Sequence, residues 1–427
     1  MEPREVLTTG EIDLADPAFW MRPLEEREGA FLTLRRELPV SFCKERQVPE
    51  GMPLQQGPGF WSVVKHADVL HVSSHPEIFC SGQGSNIGDL PPAFLEFFGS
   101  MINMDDPRHS RLRRIVSRGF TPRMVARAEE SVARVTTRII AAVREKGSCD
   151  FVGDLASRLP LAIICDMMGI PESQEDFVIE KSNIILGAGD PEYVSDMQQF
   201  VPQLLAAGAE LAQLAQELGQ ARRANPTDDL VSALVNAELD GEKLDDSEIG
   251  SFFVLLAVAG NETTRNAISH GLKALSDYPE QREVWQSDFD GVAATAVEEI
   301  IRWATPVIHF RRTATQDTEI RGQQIRKGEK VVMWYNSANR DEDAFEDPFR
   351  FDVRRSPNEH VGFGGPGPHF CLGAHLARRE IHLMFRELFL QLPDIQASGE
   401  PHRLVSFFIH GIKRMECSFS PGGARAA

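Results

Sequence analysis

From Asp245 to Pro279 the sequence admits one long helix and little else. Asp245 and Glu248 approximate a capping box at its start, and Pro279 stops it before another turn can form. At about 1.5 Å per residue, thirty-odd residues make a rod of roughly 50 Å, enough to cross the whole molecule. The middle of the rod reads FFVLLAVAGNETTRNAI, an apolar run that buries it and then abruptly meets Glu262, Thr263 and Thr264. Buried polar groups are costly unless paired or used. Two readings stand side by side: the threonine hydroxyls bond back to the preceding turn and bend or bulge the helix, or small Ala259 and Gly260 open space for a site beside the polar residues.

A second constraint is the loop HVGFGGPGPHFCLGAHLARRE, His360 to Glu380, which delivers Cys371 to the start of a helical pattern running to Pro393. A cysteine at a helix N-terminus feels the positive end of the dipole and unpaired N–H groups, which favour thiolate and metal ligation. Gly364, Gly365 and Gly367 let backbone approach the sulfur, and Gly373, one step into the helix, leaves room for something flat above it. Taken alone, Cys371 reads first as a buried structural cysteine, since free cysteine is usually buried. Between Arg108 and Arg127 lie seven arginines and no acid, in a chain of formal charge −18. His109 and Arg113 are four apart, so on a helix they share a face and reach one anion together; a solvated basic helix is the plainer alternative.

Phe363-Gly364, Gly367, His369, Cys371 and Gly373 resemble the haem-ligand signature of the cytochrome P450 monooxygenases. One departure is visible. Phe363 lies eight residues before the cysteine instead of the usual seven, and this longer FGGPGPHFC form resembles an actinobacterial branch acting on methyl-branched lipids and sterol side chains. The stretch DDPRHSRLRRIVSRGFTPR matches the family pattern that places His109 and Arg113 on the haem propionates. Ala259 and Gly260 fall in the family's oxygen groove, with Glu262 and Thr263 as its acid-alcohol pair; the acid is Glu where Asp is commoner. Glu299 and Arg302 of VEEIIRWATPV, followed by Arg340-Asp341, Phe345, Asp347-Pro348 and Phe351-Asp352, match the ExxR and meander arrangement, in which the pair is buried and braces the cysteine loop. Arg312, with Ala314 and Asp317, fits a further propionate position, and Arg311 fits it less well.

The remaining chain fills in around these anchors. Residues 1–20 are expected to be an irregular, partly mobile arm, and 421–427 a disordered tail. A small β-rich lobe follows the arm, with Phe60 to Val64 as one strand. Residues 81–104 carry Phe94, Phe97, Phe98, Met101 and Ile102, and the resemblance makes this stretch the roof of a substrate pocket. Residues 125–240 read as successive amphipathic helices, with 177–203 implied as a mobile lid. SFFIHGIKRMECSF alternates like a terminal strand pair whose turn, at Phe407 and Phe408, is expected to project into the pocket.

Composition narrows the class. The acidic charge and pI near 5.2 argue against nucleic acid or an anionic membrane as a general partner. Six cysteines without a CxxC pair suit a reducing compartment, and the N-terminus has neither a signal-peptide core nor the roughly 20 apolar residues of a membrane anchor, so a cytoplasmic protein is expected. The resemblance covers nearly the whole chain. It implies a single domain over 1–427, mainly α with a small β-rich part, with haem b between the long central helix and the cysteine-ligand helix. It also implies Cys371 as the iron ligand, His369 and Phe363 beside the haem, electrons from a ferredoxin and its reductase, and hydroxylation of an apolar small molecule. Arg111, Arg114, Arg118, Arg378 and Arg379 would face the ferredoxin. The expected substrate is a methyl-branched fatty acid, fatty alcohol or isoprenoid oxidised at or near its terminal methyl; alternatives are a sterol side-chain hydroxylase, a peroxide-driven peroxygenase and a non-catalytic haem-thiolate sensor.

Overall fold

The structure, a computed structural model, describes residues 2–48, 55–119, 122–186, 190, 192–193, 197–238 and 241–422. The long helix runs Asp246–Asp277, and its capping box forms in full. Asp245 accepts from the Glu248 N–H at 2.8 Å, and Glu248 accepts from the Asp245 N–H at 3.2 Å. The helix is α-helical throughout, so no bulge occurs at the threonines. Thr263 returns its hydroxyl to the Ala259 carbonyl at 2.8 Å within regular geometry.

Two apolar bodies grow on this rod. On one side Ala267, Ile268, Leu272 and Leu275 join the helices Phe289–Ala304 and Ala374–Gln391 in a core. On the other, Ile249, Phe252, Phe253 and Val254 pack with the helices Arg158–Met168 and Met197–Ala224. Glycines set both spacings. A Cβ at Gly271 would stand 2.7 Å from the Phe385 ring, whose burial is worth about 1.5–3 kcal/mol. A Cβ at Gly260 would collide with Ile164, so glycine lets that isoleucine close on the helix backbone, and both residues line the cavity described below.

The β-rich part is a five-stranded sheet ordered Val40–Cys43, Phe60–Val63, Lys330–Trp334, His309–Ala314 and Phe79–Cys80. Only the pairing of Phe60–Val63 with Lys330–Trp334 is parallel. Lys330–Trp334 is buried on both faces, as its KVVMW sequence requires.

Both chain ends differ from expectation. The supposed arm is docked from Leu14 onward: Pro17–Trp20 is a short helix capped by Asp16, and Trp20 stacks on Trp334 at 5.3 Å. Three aromatic rings, Phe19, Trp20 and Phe31, cluster there, and burying them outweighs the cost of ordering the segment. At the other end His402–Arg403 pairs with Ile412–Arg414, while Glu416–Ser418 lies between Ser148–Asp150 and Gln396–Ala397. Pro421 and Gly422 form a turn; the rest of the supposed tail lies outside the described residues. The expected lid maps to the helices Glu175–Leu186 and Met197–Ala224, and most of the stretch joining them also lies outside the described residues. Among the described residues no helix is long and apolar enough to cross a membrane.

Candidate active site

Cys371 is placed by a short web of backbone hydrogen bonds. Its N–H donates to the Phe363 carbonyl at 3.0 Å, Gly364 donates to Val361 at 2.9 Å, and Val361 donates to the Asn339 side chain at 2.8 Å. Gly367 has φ 134°, and a Cβ there would strike the Ser73 carbonyl, so only glycine lets the loop pass. The cysteine helix begins at Ala374 with Gly373 as N-cap, which puts Cys371 ahead of the first turn and Gly373 outside it. Burial pushes the Cys371 thiol up, against weaker opposing pulls from the Gly373 N–H, Arg113 and Arg378. Around Gly373 a Cβ would meet nothing within 4 Å, so the space above the sulfur is open.

That space belongs to a cavity of about 1680 Å³, its open mouth included, between the central helix and the cysteine loop. The ceiling is one stripe of the central helix, with Phe252, Leu255, Leu256, Ala259, Thr263 and Ala267 at helical spacing. Met101 and Ile102 line it from the roof segment, and His369, Phe363 and Gly364 from the cysteine loop. Glu262 does not line it. Its carboxylate turns into the protein and pairs with Arg265, which also reaches Asn183 at 3.3 Å on the Glu175–Leu186 helix. Burial pushes the Glu262 carboxyl up while Arg265 pulls it down, and among the described residues its Oε1 has no hydrogen-bond partner.

Basic side chains gather at one edge. His109 and Arg113, on the helix Arg108–Gly119, and Arg312, on the strand His309–Ala314, all line the cavity. Arg312 is 5% exposed, and the hydrogen bond found on it goes to the carbonyl of its own neighbour Arg311 at 2.8 Å. A guanidinium buried this way calls for an anion. Strand alternation resolves the doublet: Arg311 points to the opposite face, onto Asp89 at 2.6 Å. The His109 and His369 rings lie 4.3 Å apart, and His109 Nε2 is buried without a partner. Burial, then Arg312, pushes His369 down to about 2, and burial with Arg113 lowers His109, so both imidazoles are neutral. Glu380, one turn and more below on the cysteine helix, also borders the cavity and is pushed up to about 8 by burial.

The Glu299–Arg302 pair is wholly buried, with contacts of 2.7 and 2.8 Å. Arg302 also holds the carbonyls of Asn339 and Pro348, and Asn339 in turn receives the Val361 N–H at the head of the cysteine loop. The pair therefore links the helix Phe289–Ala304 to the loop through one intermediary. Beside it, hydrogen bonds from His360 and Arg378 hold Glu298 down at about 2 despite its burial.

Other expected residues sit elsewhere. Phe98 packs against the second core, with its ring 4.9 Å from Phe97, and does not line the cavity. Phe407 is 39% exposed and stacks on His309, and Phe408 backs onto Phe310 at 5.6 Å, so the terminal turn forms a layer behind the wall. The wall there is Phe310 itself, with Val307. Phe310 was recoverable from sequence, because a strand that aims Arg312 at the cavity aims residue 310 the same way. Tyr335, buried beside Arg312, carried no such signal. Arg111 is not available to a partner: it bonds Glu242 at 2.5 Å and Glu248 at 2.8 Å. Arg378 and Arg379 are likewise tied, to Glu298 and Glu129, while Arg114 is exposed and the Arg118 side chain lies outside the described residues.

These features fit a haem: a thiol at the floor, open flat space above it, an apolar ceiling, and a buried guanidinium with two imidazoles and Arg113 where propionates would lie. Residues 97–392 match the family model described as Cytochrome P450. The chain belongs to the cytochrome P450 family, whose fold carries haem b, and it is a monooxygenase of that family. Over 421 residues it is 52% identical to a methyl-branched lipid omega-hydroxylase of Mycobacterium tuberculosis, covering 98% of this chain and 96% of that one. A steroid C26-monooxygenase of Mycolicibacterium smegmatis is 41% identical over 94% of this chain and 91% of its own length. A Mycobacterium marinum cytochrome P450 in complex with pseudoionone superposes with TM-score 0.91 at 47% identity, covering 97% of this chain and all of that one.

Proposed function

We propose that this monooxygenase hydroxylates a methyl-branched lipid, a fatty acid, fatty alcohol or isoprenoid, at or near its terminal methyl. The observation that carries the reading is the apolar ceiling from Phe252 to Ala267 above Cys371, in a chain 52% identical to a methyl-branched lipid omega-hydroxylase. Cys371 is the iron ligand in this reading; His109, Arg113, Arg312 and His369 receive the propionates, and Glu299–Arg302 braces the loop. Bound there, haem supplies reductive activation of dioxygen and insertion of one oxygen atom into a C–H bond. The chain's own residues do the rest. The ceiling excludes water and positions the hydrocarbon end, and a terminal C–H, harder to abstract than an internal one, is reached only if the wall holds the methyl toward the centre. Thr263, on the wall, holds a hydroxyl where protons are consumed. Glu262 passes protons to it from the interior after loosening from Arg265.

Two measurements test this reading. Each methylene buried adds about 0.8 kcal/mol, roughly fourfold in Kd. Titration of matched straight, methyl-branched and sterol ligands, followed by the haem spin-state spectrum, is expected to rank branched chains first, with hydroxyl at the chain end by mass spectrometry. Preference for small compact rings, or mid-chain oxidation, would defeat the substrate assignment. Sterol side chains are the second reading, favoured by the 41% identity to steroid C26-monooxygenases. Thr263→Ala is expected to keep haem and ligand binding while diverting electrons to peroxide, read as product formed per NAD(P)H consumed; full coupling in the variant would remove Thr263 from proton delivery.

The electron donor proposed is an acidic ferredoxin served by its reductase in the cytoplasm. Arg114 is the exposed cation that supports it, with Arg113 beside Cys371. Reduction should slow as salt rises, and an Arg114→Glu variant reduced at an unchanged rate would count against this face. The whole chain is proposed to act as one unit, since the site draws on segments from Ser73 to Ile381.

A further inference from the structure

Away from the cavity, two of the six cysteines face each other. Cys149 and Cys417 are direct partners on the antiparallel strands Ser148–Asp150 and Glu416–Ser418, with sulfurs 3.4 Å apart. Both are buried, at 8% and 1% exposure. Backbone bonds flank them on either side: Phe151 N–H to Met415 O at 2.8 Å and Phe419 N–H to Gly147 O at 2.9 Å. In an antiparallel ladder hydrogen-bonded pairs alternate, so 149 and 417 form the hydrogen-bonded pair between these two, with Cα atoms about 5.5 Å apart. That is the commonest Cα separation of disulfides, and bond formation asks the sulfurs to close to about 2.05 Å. Cys371 belongs to the haem reading, and Cys43, Cys80 and Cys165 are also free cysteines, with no thiol partner found among the described residues.

We infer that Cys149 and Cys417 are a redox-active dithiol that closes to a disulfide under hydrogen peroxide and reopens under thiol reductant. One sulfur attacks the peroxide O–O bond as thiolate, taking up one oxygen and releasing water; the other displaces that oxygen as a second water. Two thiols and one peroxide thus give one disulfide and two waters, the sulfurs losing two electrons and the peroxide gaining them. The contact with Cys417, then burial, pushes the Cys149 thiol up, so the reaction is slow. The bond would join residues 268 apart in sequence. It would pin the C-terminal strands to the segment leading into the helix Arg158–Met168, which contributes Ile164 and Met167 to the cavity. The oxidant follows from the established chemistry, because a monooxygenase that loses coupling releases peroxide within its own structure.

The test uses the full-length ferric holoprotein, treated with a few equivalents of hydrogen peroxide, alkylated, digested and mapped by mass spectrometry. The expected result is one cross-linked peptide pair joining Cys149 to Cys417, two fewer alkylated thiols, and reversal by dithiothreitol. The melting temperature of the oxidised protein should rise by about 3 °C and fall back on reduction, with neither change in Cys149→Ser or Cys417→Ser. Mapping needs only the wild-type protein, so a poorly folding variant leaves the result readable. Sulfinic or sulfonic acid on separate cysteines, a cross-link through any other cysteine, or two thiols still alkylated after oxidation would each overturn the inference.

Discussion

Cys371→Ser is expected to abolish the red-shifted carbon monoxide band of the reduced protein and to cut hydroxylation beyond the roughly 10–100-fold loss typical of a metal site's outer residues. The reason is in the loop. The Phe363 carbonyl, the Gly373 N–H and the open space above the sulfur hold position 371 at the cavity floor whatever side chain stands there. A serine in that place keeps the geometry and loses the soft, electron-rich ligand that a thiolate provides. The carbonyl spectrum separates the outcomes: haem retained with its band shifted away marks a changed ligand, whereas an unchanged band would remove Cys371 from the iron.

Arg302→Ala is expected to be comparably severe by another route. The Glu299 carboxylate, with no exposed surface, loses its bidentate partner and keeps only Arg355, at 3.1 Å, as a charge partner, and breaking such a buried pair costs up to about 3–5 kcal/mol. Native domains have only about 5–15 kcal/mol in all. The damage also has a direction, because the Asn339 and Pro348 carbonyls lose their donor and Asn339 is what receives the Val361 N–H. Purified variant should show a haem-to-protein ratio well below wild type and a melting temperature lower by at least about 5 °C. Arg302→Lys should not rescue it, since an ammonium cannot make the two-point contact. Full haem loading and wild-type melting in Arg302→Ala would show that the pair braces nothing.

Much of this was legible before the structure because local rules and spacing sufficed. The capped helix from Asp245 needed only a capping box, an apolar run and a terminating proline, and it forms as expected. His109 with Arg113, Arg312, Cys371 and the Glu299–Arg302 pair fell out of a family resemblance carried by short motifs, and the fold brings the first four to one cavity. The resemblance to lipid-oxidising relatives, read from one extra loop residue, agrees with the relatives found.

Several statements about where a side chain points in three dimensions failed. Glu262 is adjacent to Thr263 in sequence, yet 100° of helical rotation turns it away from the cavity and onto Arg265. Phe407 and Phe408 looked like a turn reaching inward, and Phe310 on the sheet already occupies that wall. Arg111 looked free because its acids, Glu242 and Glu248, lie over 130 residues further along the chain. Cys149 and Cys417 formed no motif, since only strand pairing sets them opposite each other. Sequence determined most of the elements, their order and the chemistry carried by motif spacing within a single segment. Packing between distant segments decided which of those groups share a space, because a side chain's burial, charge partner and reach depend on neighbours that spacing along one segment does not contain.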